Sequence, residues 1–533
     1  MIKINVNILR CRVLGISLLT ALPFISLAQK PNWQNLDLKA DTTFGISTEK
    51  AYNELLKGKK STPVIVAVLD GGVDINHEDL KSIVWVNKRE KASNGKDDDK
   101  NGYIDDVNGW NFLGSAKGSV NHETLELTRL IRRDNVRFAN ADATSVAPAD
   151  LAAFEAYKKN KVEFDKELAE ARIGLERFGG FKIAVDNVVK KIGKENPSTE
   201  DFKAFTPTGQ MEANIQRIMV QQLKDVSFKE FYDTQITPGY DHFKSQIDYN
   251  LNLDYDPRSI VGDDPNNVKE KFYGNNDVAG PDAQHGSHVA GIIAAVRTND
   301  LGIRGVADNV LIMGVRSTPN GDERDKDVAN SIRYAVDNGA KVINMSFGKS
   351  YSWDKNVVDE AVKYAVSKDV LLIHAAGNDN KDLEVKANYP NPDYLSGGAA
   401  TAWLTVGASG WENDGSIKAS FSNYGKTKVD VFAPGVNINS TVPGSKYEKL
   451  DGTSMAAPVV AGLAGLIRSY YPKLTALQIK EIIMKSVVKV EQSVVIKDEE
   501  DNSKTVPFSD LCITGGIVNA YNAFKLAAEY KNK

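Results

Sequence analysis

The sequence predicts an α/β fold with a mostly parallel central sheet, interrupted by a helical insertion. Three observations carry this. From Gly302 onward, strand-like runs alternate with segments of helical period, the pattern of a parallel sheet flanked by helices. Val64-Ile65-Val66-Ala67-Val68-Leu69 is an unbroken apolar run of strand length, as burial on both faces requires. Much of the stretch between residues 116 and 249 is helical in pattern.

Taken in order, residues 1–28 read as a secretory signal. Lys3, Arg10 and Arg12 precede a mostly apolar run from Val13 to Leu27, and Ser26-Leu27-Ala28 offers small residues for cleavage. Pro23 and the short length argue against a membrane anchor, and Cys11 lies between two arginines rather than in a lipobox. The expected location is therefore outside the cytoplasm, secreted or periplasmic. Residues 29–61 form an N-terminal arm, and residues 62–115 open the α/β domain. Asp70 ends the first strand, where open α/β sheets place their chemistry.

Residues 116–249 are expected to be the insertion. Phe154, Tyr157, Phe164, Leu168, Ala171, Leu175 and Phe178 follow the three-four spacing of a helix seam. Val185, Val188, Val189 and Ile192 mark a second helix, with Gly179-Gly180 read as the break between them. Met211, Ile215, Ile218, Met219 and Leu223 mark a third. The module either packs on the α/β domain or acts as a lid or partner-binding element. Residues 250–533 complete the α/β domain. Val328, Ile332, Ala335 and Val336 mark a helix face, followed by strand Val342 to Met345, a helix from Val357, strand Val370 to Ile373, and a last helix over Ile517 to Tyr530.

The 533 residues are 42% hydrophobic and 26% charged, ordinary for a globular protein, and the net charge of −4 excludes a general nucleic-acid binder. After signal cleavage only Cys512 is left, so an intramolecular disulfide is excluded and Cys512 reads as a small buried hydrophobe. Beyond the signal, no span is apolar enough to cross a membrane.

The chemistry concentrates in three segments. Gly452-Thr453-Ser454-Met455-Ala456-Ala457-Pro458 puts a serine at the mouth of an apolar helix, where unpaired N–H groups suit an oxyanion, and Pro458 is expected in the first turn. Asp70 ends its strand, and His285-Gly286-Ser287-His288 opens another apolar helix. Aspartate, histidine and serine thus occur in that order, each at an element terminus.

These segments resemble the catalytic motifs of the subtilisin-like serine proteases (subtilases). Ala375-Ala376-Gly377-Asn378 and Ser346-Phe347-Gly348 extend the likeness, which covers roughly residues 45–113 and 250–525. The resemblance implies a three-layer α/β/α fold and an endopeptidase acting on protein or peptide substrates. It makes Ser454 the nucleophile, His285 its base, Asp70 the partner of His285, and Asn378 the oxyanion donor. It assigns substrate contacts to Ser346, Phe347, Gly348 and Gly377, and requires no cofactor for catalysis. His288 competes with His285 for the role of base; without an intervening His-Glu-x-x-His pattern, the pair does not read as a zinc site. His77, His122, His242 and His374 carry no motif. Gly71 stands where the family usually has a serine or threonine, removing a hydroxyl beside Asp70. About 35 residues between signal and first strand leave no room for a long propeptide. Rival readings are a retired scaffold serving as a binding or regulatory protein, an exopeptidase, and an esterase.

Asp97-Asp98-Asp99-Lys100-Asn101-Gly102-Tyr103-Ile104-Asp105-Asp106 alternates oxygen ligands around a glycine turn. Asp97, Asp99, Asn101, the Tyr103 carbonyl and Asp105 take the spacing of the first five ligands of a calcium loop, although Asn108 replaces the closing glutamate. A structural Ca2+ is expected here; the alternative is a solvated acidic turn.

Overall fold

The computed structural model describes residues 29–497 and 502–530, so the signal read at residues 1–28 lies outside the described residues. Two compact units emerge: one built from the chain up to Asn121 and from Pro257 onward, the other from His122–Asp256.

The first unit holds a nine-stranded sheet. Its strands, in chain order, are β1 (Val64–Asp70), β2 (Gly109–Asn111), β3 (Val310–Arg316), β4 (Val342–Met345), β5 (Leu371–Ala375), β6 (Trp403–Ser409), β7 (Val431–Pro434), β8 (Val488–Lys489) and β9 (Gly516–Ile517). They lie side by side as β8-β9-β7-β6-β5-β4-β1-β3-β2, and every pairing is parallel except β8 with β9. Strand β1 shows why the apolar runs are unbroken. Val64, Val66 and Val68 join one core, with helices α1 (Gln284–Ala294), α4 (Thr453–Tyr470), α5 (Ala476–Lys485) and α6 (Ala520–Tyr530). Ala67 and Leu69 join the other, with α2 (Asp325–Asp337) and α3 (Lys355–Ser367). The layers are helix, sheet, helix, as expected.

Helix α4 is almost wholly buried and packs across β1 and β4 to β7. The N-terminal arm contributes Trp33, Ile46, Ala51 and Leu56 to the same core. Cys512 is buried in a third cluster with Phe432, Phe508 and Ile517. The last helix starts at Ala520 rather than Ile517, because Ile517 pairs with Phe432 in the sheet and Asn519 accepts the Asn522 N–H at 2.9 Å. Among the described residues no helix is long and apolar enough to cross a membrane.

The second unit is helical. Leu151–Ile192 is a single helix of 42 residues, running through Gly179 and Gly180 where a break was expected. Each glycine costs about 1 kcal/mol in a helix interior, too little to stop one whose flanks are packed. Phe243 covers Gly174 so closely that a Cβ there would lie 2.3 Å from its ring, and Phe178 covers Gly239 likewise at 2.4 Å. Val185, Val188, Phe202, Ile215, Met219 and Phe228 form its core.

Candidate active site

The carboxyl ends of β1 and β4 gather the motif residues. The two strands are in register at Leu69 and Met345, so Asp70 and Ser346 follow side by side. Asp70 is buried (2% exposed) and its Oδ1 accepts the Gly71 N–H at 2.7 Å and the Nδ1–H of His285 at 2.8 Å. That contact makes Nδ1 the protonated nitrogen of neutral His285 and leaves Nε2 with its lone pair. His285 is the second residue of α1, a quarter exposed, in a helix that packs against α4. Asp70 Oδ2 is buried with no hydrogen-bond partner among the described residues, consistent with the missing hydroxyl at Gly71. Below Asp70, Arg316 is its register partner on β3 and is 1% exposed. Its Nε donates to the Gly71 carbonyl (2.6 Å), while the guanidinium also reaches Asn111 Oδ1 (3.1 Å) and the Val120 carbonyl. Burial pulls its pKa down to about 10, still cationic at neutral pH.

Ser454 is the second residue of α4, and its Oγ–H donates to the Ser346 carbonyl at 3.0 Å. Gly452, which caps the helix, has φ 155°, a conformation that suits glycine. Pro458 does not sit in the first turn but is the sixth helical residue. Lacking an N–H, it leaves the carbonyl four residues back, that of Ser454, without its helical donor. The Ser346 hydroxyl takes that place at 2.9 Å, itself held by Asn344 Nδ2 at 2.9 Å. The proline thus ties the serine turn to the end of β4.

Asn378 follows β5. Its Oδ1 accepts both the Thr453 N–H (2.8 Å) and the Thr453 hydroxyl (2.9 Å), and that hydroxyl accepts the Gly377 N–H (3.0 Å). With its oxygen engaged, the Asn378 amide turns its Nδ2 toward the Gly452–Ser454 turn: a Cβ placed on Gly452 would lie 3.5 Å from both Nδ2 and the Ser454 nitrogen. The Asn378 amide and the first N–H groups of α4 thus border the same glycine turn.

In the Ser346-Phe347-Gly348 strip, Phe347 sends its ring into the core and its carbonyl to His374 Nε2 at 2.8 Å. Asn388 fills the space between this strip and Gly377. A Cβ on Gly348 would come within 2.4 Å of Asn388 Oδ1, and one on Gly377 within 3.5 Å of Nδ2. That nitrogen donates to the Ala375 and Ala376 carbonyls, each at 3.2 Å. Sequence reasoning missed Asn388, Thr453 and Arg316 because their contacts join distant segments; only Thr453, beside Ser454, lay in a motif.

His288 is buried and its Nε2–H donates to the Ile438 and Glu448 carbonyls (2.9 and 3.0 Å). Burial pushes its pKa down to about 4, and does the same to His374. Both are neutral packing groups. His77 bonds the Lys446 carbonyl at 3.0 Å, and His122 stacks on Tyr249 with ring centroids 4.1 Å apart.

The acidic loop divides its carboxylates. Asp97 accepts the Asn101 and Gly102 N–H groups, and Asp105 accepts those of Asn94 and Gly95, so both serve the loop backbone. Asn101 Oδ1 is taken by the Tyr103 N–H at 2.8 Å. The carboxylates that converge are Asp99, Asp106 and Glu90, the last two absent from the alternating pattern. Burial pushes the pKa of Asp106 up to about 6.

Comparison with known proteins adds the family context. The model of the subtilase family matches residues 61–505. The chain is similar to the thermitase of Thermoactinomyces vulgaris, 45% identical over 186 residues that cover 35% of this chain and 61% of that protein. It is also similar to the thermophilic serine proteinase of Bacillus sp. (strain AK1), 43% identical over 187 residues, covering 35% and 42%. The chain spans about half the length of such curated relatives. A solved protease of Pseudoalteromonas arctica is 30% identical, covers 48% of this chain and 74% of its own, and superposes with a TM-score of 0.37.

Proposed function

The chain belongs to the subtilase family, and from that premise we propose that it is an exported serine endopeptidase that cleaves peptide bonds through an acyl-enzyme on Ser454. The observation that carries this reading is the 2.8 Å bond from His285 Nδ1–H to buried Asp70, which leaves the His285 Nε2 lone pair free to act as a base.

In this mechanism the Ser454 hydroxyl leaves the Ser346 carbonyl, passes its proton to His285 Nε2 and attacks the substrate carbonyl. Asp70 stabilises the imidazolium and does not itself take the proton. The tetrahedral oxyanion is held by Asn378 Nδ2 and the N–H groups at the start of α4. His285 then protonates the leaving amine; water, deprotonated by the same nitrogen, releases the acid and restores Ser454. A structural Ca2+ accompanies this activity without entering any step. The test is labelling of the full mature chain with a fluorophosphonate, alongside casein hydrolysis, for wild type and Ser454→Ala. Labelling and proteolysis that vanish together in Ser454→Ala support the reading; a folded wild-type chain that does neither refutes it.

A further inference from the structure

We propose, on the reading of Asn378 as oxyanion donor, that Lys418 and Asn423 are its positioning residues, two braces from the stretch after β6 that fix the loop after β5. The loop needs bracing. It turns through Gly377 (φ 101°) and Asn380 (φ 53°), and the second is a conformation that residues other than glycine seldom adopt. Local preference therefore does not hold Asn378 where it stands.

Asn423 is buried, and its side chain bonds the loop on both sides of Asn378. Nδ2 donates to the Ala376 carbonyl at 2.9 Å, and Oδ1 accepts the N–H groups of Asp379 (3.0 Å) and Lys381 (2.8 Å). The Asn423 N–H donates to the Gly377 carbonyl at 2.9 Å, and the Asn380 N–H reaches the Phe421 carbonyl at 2.8 Å. The approach is close enough that a Cβ on Gly377 would lie 2.4 Å from Asn423 Nδ2, so only glycine admits it. Thr453 holds the amide of Asn378; Asn423 holds the backbone from which that amide springs.

Lys418 secures Asn380. Its Nζ donates to Asn380 Oδ1 at 2.7 Å and to the Ala419 carbonyl at 3.0 Å, and lies 5.6 Å from the centroid of the Tyr424 ring. The residue is 5% exposed. No carboxylate among the described residues offsets that burial, which pulls its pKa down to about 7. A buried lysine without a counter-ion is destabilising, and an apolar chain of like length would suit the core better. What the lysine supplies is a donor for Asn380, two residues beyond Asn378, and either protonation state provides one.

Steady-state cleavage of a chromogenic peptide by the full chain tests both braces, with Tm and far-UV circular dichroism measured on each variant. Lys418→Met keeps the length and removes the donor. Its kcat should fall about three- to tenfold with KM within about twofold, while Tm holds or rises. A lysine serving the fold alone would give the opposite pattern, a lower Tm at unchanged kcat. Asn423→Leu should lower kcat at least about tenfold, and Asn423→Asp, which keeps an acceptor for both N–H groups, should lower it less. Should Asn423→Leu fail to fold, Asn423→Asp and Lys418→Met carry the test. On the Asn378→Ala background, Lys418→Met should change kcat by less than about twofold, because no donor is left to aim. With Asn378→Ala slow, wild-type kcat in Lys418→Met, or an equal loss in the double variant, would overturn the proposal and leave the oxyanion reading intact. Wild-type kcat in Asn378→Ala would overturn that reading and the proposal together.

Discussion

In the proposed mechanism Asn378 donates to the oxyanion, and Thr453→Val tests how that amide is aimed. The Thr453 hydroxyl stands between two partners, accepting the Gly377 N–H at 3.0 Å and donating to Asn378 Oδ1 at 2.9 Å. Valine keeps the shape, removes both bonds and leaves the Thr453 main-chain N–H on Asn378 Oδ1 at 2.8 Å. Asn378 therefore loses half of what holds its amide, and the Gly377 N–H loses its acceptor. Loss of the Asn378 donor altogether would cost about two to three orders of magnitude in rate, a figure drawn from subtilisin and so from within the family. Loosening it by one hydrogen bond of about 1 kcal/mol should lower kcat some five- to tenfold with KM little changed. Thr453→Ser, which keeps the hydroxyl, should restore most of the activity. The assay is steady-state cleavage of a chromogenic peptide by wild type, Thr453→Val, Asn378→Ala and the double variant. Because both residues act through one donor, Thr453→Val should have little effect on the Asn378→Ala background. Fully additive losses, or an unchanged kcat in Thr453→Val, would refute the positioning argument.

The buried histidines set an acid limit on stability. His374 and His288 have folded pKa values of about 4 against about 6.5 unfolded, so their neutral forms stabilise the fold above pH 6.5 and that contribution is lost as pH falls from 6.5 toward 4. Each is worth about 3 kcal/mol at most, and His374→Gln should flatten the fall of Tm between pH 7 and 4.5; an unaltered slope would refute it. Asn388→Gly should open the space between Gly348 and Gly377 and raise kcat/KM for peptides with a large side chain before the scissile bond about tenfold relative to alanine, measured with a peptide series. Arg316→Met should leave the Gly71 carbonyl without its donor and, by loosening Asp70, cut kcat about tenfold while lowering Tm; wild-type turnover in the variant would contradict that. A lid role for the His122–Asp256 unit predicts that its removal speeds cleavage of casein more than of short peptides, and equal rates would assign it to packing alone.

What the sequence made legible follows the range of the interactions involved. The burial of β1 on both faces and the apolar α4 are written in consecutive residues, because strand and helix periods are local. The Asp70, His285, Ser454 and Asn378 motifs were legible for the same reason, each being a short run at an element end. Asn388 was not, since its significance lies in two glycines some 40 and 11 residues away. Gly179-Gly180 misread as a break because propensity was weighed without the aromatic rings of Phe178 and Phe243 that knit the helix into its neighbours. Pro458 was placed one turn too early, and its function, freeing a carbonyl for Ser346, depends on a strand more than a hundred residues upstream. Glu90 and Asp106 escaped a pattern that counts positions and ignores which way side chains turn.

The Arg316 clamp has a mechanical consequence. Its guanidinium grips the Gly71 carbonyl at one end and the Val120 carbonyl at the other, and the Asn320 N–H holds the Asn121 carbonyl at 2.8 Å. The chain is thus fastened to a rigid strand at the last residues before it departs into the inserted unit. Such a fastening works as strain relief: force or thermal motion arriving along the insertion is grounded in the sheet before it reaches the aspartate. A loop at this seam can then lengthen, acquire a folded module or exchange it for another without retuning the hydrogen bond from His285 to Asp70.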